Sequence, residues 1–300
     1  MYYIDSAMRT DAYRCPYTVG AILPLFLFGQ PAKATVTGIF EPFTLSCAML
    51  VSVESQSAEL NGDKTLKLFD RRFAAECREH EKVEVWVPEC ENQYHQFDTN
   101  DNGDSDGHDL TPAECEAYLH HRMQQLYKIE VEAYHAPEDI QGKYVPQFFA
   151  SVTLPVPASS NEIPFREWVD IPGILIEYIE GFSLIDLGTC APPEVWQRVG
   201  DEAIRIVHAI SDRGILNEDV QWGSFIVNPN KNYEVRMTDF ANCKFRREFG
   251  DDEGWRKWQA YRDEDTMERK LQQVSPGSFT YRRSERYNQL SYDFMREELG

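Results

Sequence analysis

The stretch from His208 to Phe240, HAISDRGILNEDVQWGSFIVNPNKNYEVRMTDF, contains two short apolar runs that lie beside acidic residues. Phe225-Ile226-Val227 follows Asp219, and Val235-Arg236-Met237 precedes Asp239. The residues between the runs include three asparagines and a proline, which are typical of a turn. The pattern predicts a β-hairpin that carries both carboxylates to one end of two paired strands. Carboxylate oxygens are ligands that Mg²⁺ prefers, so this end is a candidate site for Mg²⁺ and a nucleoside triphosphate.

The same stretch resembles the catalytic and metal-binding loops of the protein-kinase-like phosphotransferases, which include protein kinases and small-molecule kinases. The matching pattern runs from G-I-L-N-E-D through S-F-I-V to T-D-F. The resemblance implies that Asp219 takes the place of the catalytic-loop aspartate and Asp239 that of the aspartate in D-F-G. The chain is also similar to a group of fungal kinase-like proteins. A surface hairpin with two solvated aspartates is the alternative.

A strand upstream of this stretch contains the lysine that a kinase N-lobe needs. The run from Lys64 to Phe69 places Lys67 among apolar neighbours, and it is similar to the V-A-I-K strand of kinases. The resemblance implies that Lys67 binds the α- and β-phosphates of ATP. A lysine on the solvent face of an alternating strand is the alternative.

A helix is predicted from Thr111 to about His135, because a threonine N-cap is followed by proline and then by a capping-box glutamate. Glu130 lies on the apolar face of this helix, where a carboxylate is costly unless it is paired. The resemblance implies Lys67 as the partner of Glu130. Glu116 and Glu132 are rival candidates for that partnership, and an amphipathic helix with its acids in solvent is the alternative.

The segment from Gly173 to Gly181 is similar to the fifth strand of a kinase where it enters the hinge. The resemblance implies that the Glu177 carbonyl and the Ile179 amide meet the edge of adenine. An ordinary buried strand that ends at a glycine turn is the alternative. Residues 192–213 form an amphipathic pattern, as in the helix before a kinase catalytic loop. These motifs occur in kinase order over roughly residues 40–245.

Four departures from the kinase pattern accompany these matches. The expected phosphate-binding hairpin near Phe43–Val51 has no G-x-G-x-x-G. Ser224 stands where a metal-binding asparagine is expected five residues after Asp219, so we expect Ser224 to assist Asp239 only weakly in binding Mg²⁺. Glu218 replaces the arginine that pairs with a phosphorylated activation loop. Alanine replaces the glycine of D-F-G.

The bulk composition excludes several classes of partner. The 300 residues carry a formal net charge of −20, which argues against nucleic acid and anionic membranes as partners. The hydrophobic content of 42% indicates a globular protein rather than a disordered one. The seven cysteines form no C-x-x-C pair, which predicts reduced thiols in the cytoplasm or the nucleus. The apolar run Val19–Gly29 is too short to span a bilayer and predicts an N-terminal strand.

An acidic insert of about residues 81–110 separates the predicted lysine strand from the predicted helix. Within it, residues 98–109 fit the calcium loop of an EF-hand, with oxygen-bearing side chains at the required spacing. Ser105 stands where an apolar anchor is usual, and Asp109 is shorter than the usual final glutamate. A disordered surface loop is the alternative.

Taken together, the sequence predicts an α+β protein with a bilobal, protein-kinase-like fold. The β-rich N-lobe would span residues 1–180, with a five-stranded sheet and one long helix, and a reduced helical C-lobe would span residues 181–300. The expected function is phosphoryl transfer from ATP, with Mg²⁺, to a hydroxyl of a protein or small molecule, in which Asp219 accepts or orients the hydroxyl proton. A pseudokinase that binds nucleotide or acts as a scaffold is the main alternative, and a calcium-responsive interaction protein is a third.

Overall fold

A computed structural model describes residues 15–87, 89–90, 111–156, 170–262, 280, 285 and 288–289. The chain is a mixed α+β protein whose N-terminal part is rich in β-strands. It folds into two compact units. The first unit comprises the described residues up to Tyr127 together with Phe149–Ile176, and the second comprises Lys128–Phe148 and the described residues from Glu177 onward. The predicted lobe boundary at residue 180 stays a prediction.

Six strands form a closed barrel in the N-terminal part of the chain. In spatial order they are β1-β2-β3-β4-β6-β5, and β1 closes the barrel by pairing antiparallel with β5. The sequence predicted a sheet of five strands, whereas the barrel has six. The strands are β1 (Ile22–Leu27), β2 (Gln30–Ile39), β3 (Cys47–Glu54), β4 (Gly62–Leu68), β5 (Phe148–Leu154) and β6 (Ile171–Glu177).

Alternating side chains direct one face of each barrel strand into an apolar core. In β1 the three leucines are buried, whereas the residues between them are exposed. Gly173 in β6 allows close packing against β4, since a Cβ there would lie 2.6 Å from the carbonyl oxygen of Lys67. Each strand contributes buried aliphatic residues to this core, among them Leu25, Ala34, Val51, Leu66, Val152 and Leu175.

Two helices follow β4, namely α1 (Ala75–His80) and α2 (Pro112–His135). The predicted capping box of α2 is confirmed, because Glu114 N–H donates to Thr111 Oγ1 over 3.3 Å and Thr111 N–H donates to Glu114 Oε2 over 2.7 Å. The buried side chains of α2 recur every three or four residues and form one stripe. The stripe consists of Glu116, Leu119, Met123, Leu126, Glu130, Ala133 and Tyr134.

The second unit combines helices with two small sheets rather than helices alone. One sheet has the order β10-β9-β7, and the other pairs β11 with β8. The strands are β7 (Phe182–Ser183), β8 (Ile215–Asn217), β9 (Phe225–Asn228), β10 (Glu234–Met237) and β11 (Cys243–Phe245), and the helices are α3 (Leu187–Cys190), α4 (Pro193–Ser211) and α5 (Asp252–Arg262). Single 3₁₀ turns occur in both units. The turn Ala58–Leu60 belongs to the first unit, and the second unit contains the turns Glu138–Ile140, Leu184–Asp186, Trp222–Ser224, Pro229–Lys231 and Arg246–Glu248.

The predicted hairpin is confirmed as the antiparallel pair β9–β10. Phe225 lies opposite Met237, so the strand ends that adjoin the two acidic segments are neighbours. At the other end, Asn228 Oδ1 accepts a hydrogen bond from Asn230 N–H over 2.9 Å, and Asn232 has a left-handed backbone with φ of 53°. The asparagine-rich turn therefore closes the hairpin as the sequence predicts.

The sequence also led to predictions about membrane-spanning segments, cysteines and a calcium loop. Among the described residues, no helix is both long and apolar enough to cross a membrane. All seven cysteines are free thiols. The predicted calcium loop at residues 98–109 lies outside the described residues.

A buried carboxylate at the end of β4 predicts a specific loss of stability in acid. Asp70 accepts hydrogen bonds from the Tyr17 hydroxyl over 2.6 Å and from Arg72 Nη2 over 2.8 Å. Burial by itself would raise the pKa of Asp70, but Arg72 and the Tyr17 hydroxyl hold this pKa below its ordinary value of 3.8. The stabilisation is therefore present above that value and is lost as the pH falls through the lower pKa of the folded state. In urea unfolding between pH 7 and pH 3, the free energy of unfolding of the wild type should exceed that of Asp70→Asn, and this excess should shrink below about pH 4. An excess that stays constant with pH would contradict this prediction.

Candidate functional site

The two predicted acidic loops of the second unit follow strands that belong to its two different small sheets. Asp219 lies two residues after β8, and Asp239 lies two residues after β10. Thr238, which precedes Asp239, donates to the Ser224 carbonyl through both its N–H (2.6 Å) and its Oγ1 (3.2 Å). The carbonyl of Ser224 therefore fixes the start of the Asp239 loop, and this contact does not involve the Ser224 hydroxyl.

Asn217 joins the two loops through its side chain. Its Nδ2 donates to the carbonyl oxygen of Asp239 over 2.9 Å, and its Oδ1 accepts from Asp219 N–H over 2.9 Å. Asn217 is only 4% exposed, so both bonds are shielded from water. Asn217 is not identified as a site residue by its sequence pattern, because a neutral amide carries no charge or metal motif. Its position two residues before Asp219 was the only signal.

Two side-chain amides hold the carboxylate of Asp219. Gln221 Nε2 donates to Oδ1 over 2.6 Å, and Asn242 Nδ2 donates to Oδ2 over 3.4 Å. The Asn242 carbonyl in turn accepts from Glu218 N–H over 3.0 Å. An ionised carboxylate has about four lone-pair sites, so each oxygen keeps the capacity to accept a further hydrogen bond. Asp219 is therefore oriented by these amides, and its role towards a hydroxyl proton stays a prediction.

Asp239 has an unusual backbone conformation. Its φ is 69°, in the left-handed region that residues other than glycine seldom adopt but that aspartate tolerates. Its carbonyl is fixed by Asn217, and the next residue, Phe240, donates its N–H to Glu130 Oε1 over 3.5 Å. The loop is thus held on both sides of the Asp239 carboxylate.

Glu130 is fully buried, at 0% exposure, which confirms its predicted place on the apolar face of α2. The two rival glutamates have other partners. Glu116 Oε1 pairs with Arg78 over 2.6 Å, and Glu132 forms an exposed ion pair with Arg247. Of the three candidates, only Glu130 touches the backbone beside Asp239 in the described part of the chain.

Lys67 lies on β4 in the first unit and is 6% exposed. The alternative that placed this lysine on the solvent face of its strand is therefore wrong. The pairing of Lys67 with Glu130, and the binding of phosphates by Lys67, stay predictions.

Tyr134, four residues after Glu130, is a further buried group that no sequence motif marks as a site residue. Its ring packs edge-on against Phe240, with 5.1 Å between centroids. Burial, followed by the charges of Glu130 and Asp239, raises the pKa of Tyr134 well above its ordinary value of 10. The hydroxyl has no hydrogen-bond partner among the described atoms.

The predicted hinge begins at the end of β6. Glu177 accepts from Arg236 Nη1 over 2.6 Å and from Gln147 N–H over 3.1 Å, and its own N–H donates to the Gln147 carbonyl over 2.8 Å. A Cβ on Gly181 would lie 2.3 Å from the Val227 carbonyl oxygen, so glycine is required for the approach of this segment to β9. The roles of the Glu177 carbonyl and the Ile179 amide towards adenine stay predictions.

The donor set of the second unit suits a cation of the Mg²⁺ type better than a fully protein-ligated metal. Among the described residues, no three histidine, cysteine or acidic side chains form a metal-binding cluster. Mg²⁺ is usually held by one or two carboxylates together with phosphate oxygens and waters. Asp239 could supply such a carboxylate, and Ser224 a hydroxyl, but the binding of Mg²⁺ by these residues stays a prediction.

Comparison with known proteins gives no family for this chain. No protein-family model matches it, and no curated protein matches it. Its function must therefore be inferred from the residues and contacts of the two acidic loops.

Proposed function

We propose that the protein is a kinase-like phosphotransferase that uses ATP and Mg²⁺ to phosphorylate a hydroxyl group. The observation that carries this proposal is the linkage of Asp219 and Asp239 through the buried amide of Asn217. Phosphoryl transfer depends mainly on positioning and on charge neutralisation. Two acidic loops held in fixed register would position the acceptor hydroxyl and hold the Mg²⁺ that neutralises the phosphate charge. Asp219 would orient the acceptor hydroxyl, and Asp239 would bind Mg²⁺ with help from Ser224.

The proposed fold is the bilobal fold of the protein kinases. Its support is the order of the elements along the chain. The strand β4 with its buried Lys67 is followed by the long helix α2 with its buried Glu130, then by β5, β6 and α4, and last by the two acidic loops. In this proposal Lys67 binds the α- and β-phosphates, Glu130 orients Lys67, and the backbone at Glu177 and Ile179 binds adenine.

A pseudokinase is the second candidate, and the connection between β2 and β3 favours it. This connection, Phe40–Ser46, contains no glycine and includes the bulky Phe40, which is largely exposed. Successive glycine amides are a common means of cradling phosphates, and this segment offers none. Ser224 in place of a longer amide ligand points the same way. A protein of this kind would keep the nucleotide site, or only its scaffold, without useful catalysis.

Nucleotide binding is the property that tests the proposed function, and thermal unfolding measures it. A ligand that binds only the folded state raises the melting temperature, so millimolar ATP with Mg²⁺ should raise that of the wild type by several degrees. The variants Lys67→Met and Asp239→Asn should lose this shift. Lys33→Met, which removes a charge from the exposed face of β2, is the matched control and should keep it.

Two outcomes would contradict the proposed function. Absence of a shift in the wild type at millimolar ATP would mean that the protein has no functional nucleotide site. A full shift in both Lys67→Met and Asp239→Asn would mean that ATP binds elsewhere.

A further inference from the structure

Tyr134 lies on the last turns of α2, four residues after Glu130, so the two side chains share one face of the helix. The side chain is 0% exposed. Its ring is held by Phe240, edge-on at 5.1 Å between centroids, and by Phe148 at 5.9 Å. Aromatic contacts on two sides fix the direction of the hydroxyl without hydrogen-bonding it.

The hydroxyl of Tyr134 has no hydrogen-bond partner among the described atoms. Buried phenol hydroxyls normally have one, because an unmade bond in a low-dielectric interior is costly. The charges that act most strongly on Tyr134 are those of Glu130 and Asp239. A donor that shares a helix face with Glu130, on a ring that packs against Phe240 next to Asp239, is therefore held in place by packing, and the described contacts make no use of its hydroxyl.

We propose that Tyr134 is a ligand-binding residue whose hydroxyl gains its hydrogen bond when a hydrated divalent cation, with its nucleotide, is held at Asp239. This inference rests on the proposed function. Acidic side chains attract a cation, and Mg²⁺ gives up its waters reluctantly, so such a cation brings oxygen atoms that can both donate and accept hydrogen bonds. The phenol can donate to and accept from such oxygens, whereas a phenylalanine at this position can do neither.

The proposal makes opposite predictions for the free and the liganded protein. In the free protein, Tyr134→Phe removes an unsatisfied polar atom and keeps the ring contacts, so its melting temperature should equal or exceed that of the wild type. In the liganded protein the variant lacks one hydrogen bond, so its affinity for ATP with Mg²⁺ should fall roughly two- to tenfold. A purely structural tyrosine would not separate these two effects.

The experiment compares full-length wild type, Tyr134→Phe and Tyr127→Phe by thermal unfolding, with and without a titration of ATP and Mg²⁺. Tyr127 is the matched control, because it lies on the same helix, is half-buried and packs against Phe69. Tyr127→Phe should keep the wild-type affinity. The expected result for Tyr134→Phe is an unreduced melting temperature without ligand and a reduced shift with it.

Three other outcomes of this experiment would overturn the inference about Tyr134. A lower melting temperature of ligand-free Tyr134→Phe would show that the hydroxyl is already bonded, which overturns the inference. If ATP with Mg²⁺ raises the melting temperature of Tyr134→Phe as much as that of the wild type, the inference is overturned and the proposed function still stands. Absence of any shift in the wild type would overturn both.

Discussion

Replacing Glu116 with alanine should lower the free energy of unfolding by about 3–5 kcal/mol. Glu116 is 1% exposed, and its two oxygens pair with Arg78 Nη2 over 2.6 Å and with Arg71 Nε over 3.1 Å. Arg78 also donates to the Glu84 carbonyl over 2.6 Å. Removal of the carboxylate takes away the negative charge that two buried guanidinium groups share, and the loss of one partner from a buried ion pair is among the costliest defects in a protein.

Glu114→Ala is the matched control for this prediction, because it removes the same side chain two residues earlier on the same helix. Glu114 is half-buried, and its carboxylate accepts the capping-box hydrogen bond from Thr111 N–H, so its loss should be much smaller. Urea unfolding of the three proteins, extrapolated to zero denaturant, gives the comparison. Equal losses in the two variants would show that the buried ion network contributes little.

Replacing Asp219 with alanine should reduce the rate of ATP turnover by about two to four orders of magnitude. Asp219 is oriented through Asn217, Gln221 and Asn242, and its remaining lone pairs are the ones available to a water or an acceptor hydroxyl. Its removal takes away the group that positions the nucleophile, but it leaves Asp239 and the proposed metal site in place. Phosphate release at saturating ATP and Mg²⁺ measures the effect.

Two controls separate this prediction from its alternatives. Glu218→Gln removes the neighbouring negative charge, and its turnover should stay close to that of the wild type. Asp98→Ala, in the predicted calcium loop, should also leave turnover unchanged, whereas a calcium-responsive protein would depend on it. Undiminished turnover in Asp219→Ala would remove this residue from the mechanism.

Features that depend on neighbouring residues could be predicted from the sequence. The capping box fixed the start of α2, and the asparagine-rich turn predicted the β9–β10 hairpin. The helical period placed Glu130 on the buried face. Each of these signals lies within a few residues of its effect, so one sequence is enough to detect it.

Features that depend on distant partners could not be predicted in the same way. Closure of the barrel pairs Phe26 with Thr153, and alternation in β1 indicates a strand without indicating its neighbour. The partners of Glu116 lie 38 or more residues away, which left it a rival of Glu130. Asn217 and Tyr134 are uncharged, so no charge pattern marks them. Their importance follows only from what the fold brings beside them.

The proposed binding of Mg²⁺ with ATP by Asp239 and its neighbouring loop can be measured by a calorimetric titration. ATP would be titrated into the wild type and into Asp239→Asn, each with Mg²⁺ and with excess chelator. We expect binding of one ATP per chain that requires both Mg²⁺ and Asp239. An absence of heat at millimolar ATP, or equal binding in the variant and without the metal, would show that Asp239 does not hold Mg²⁺ with ATP.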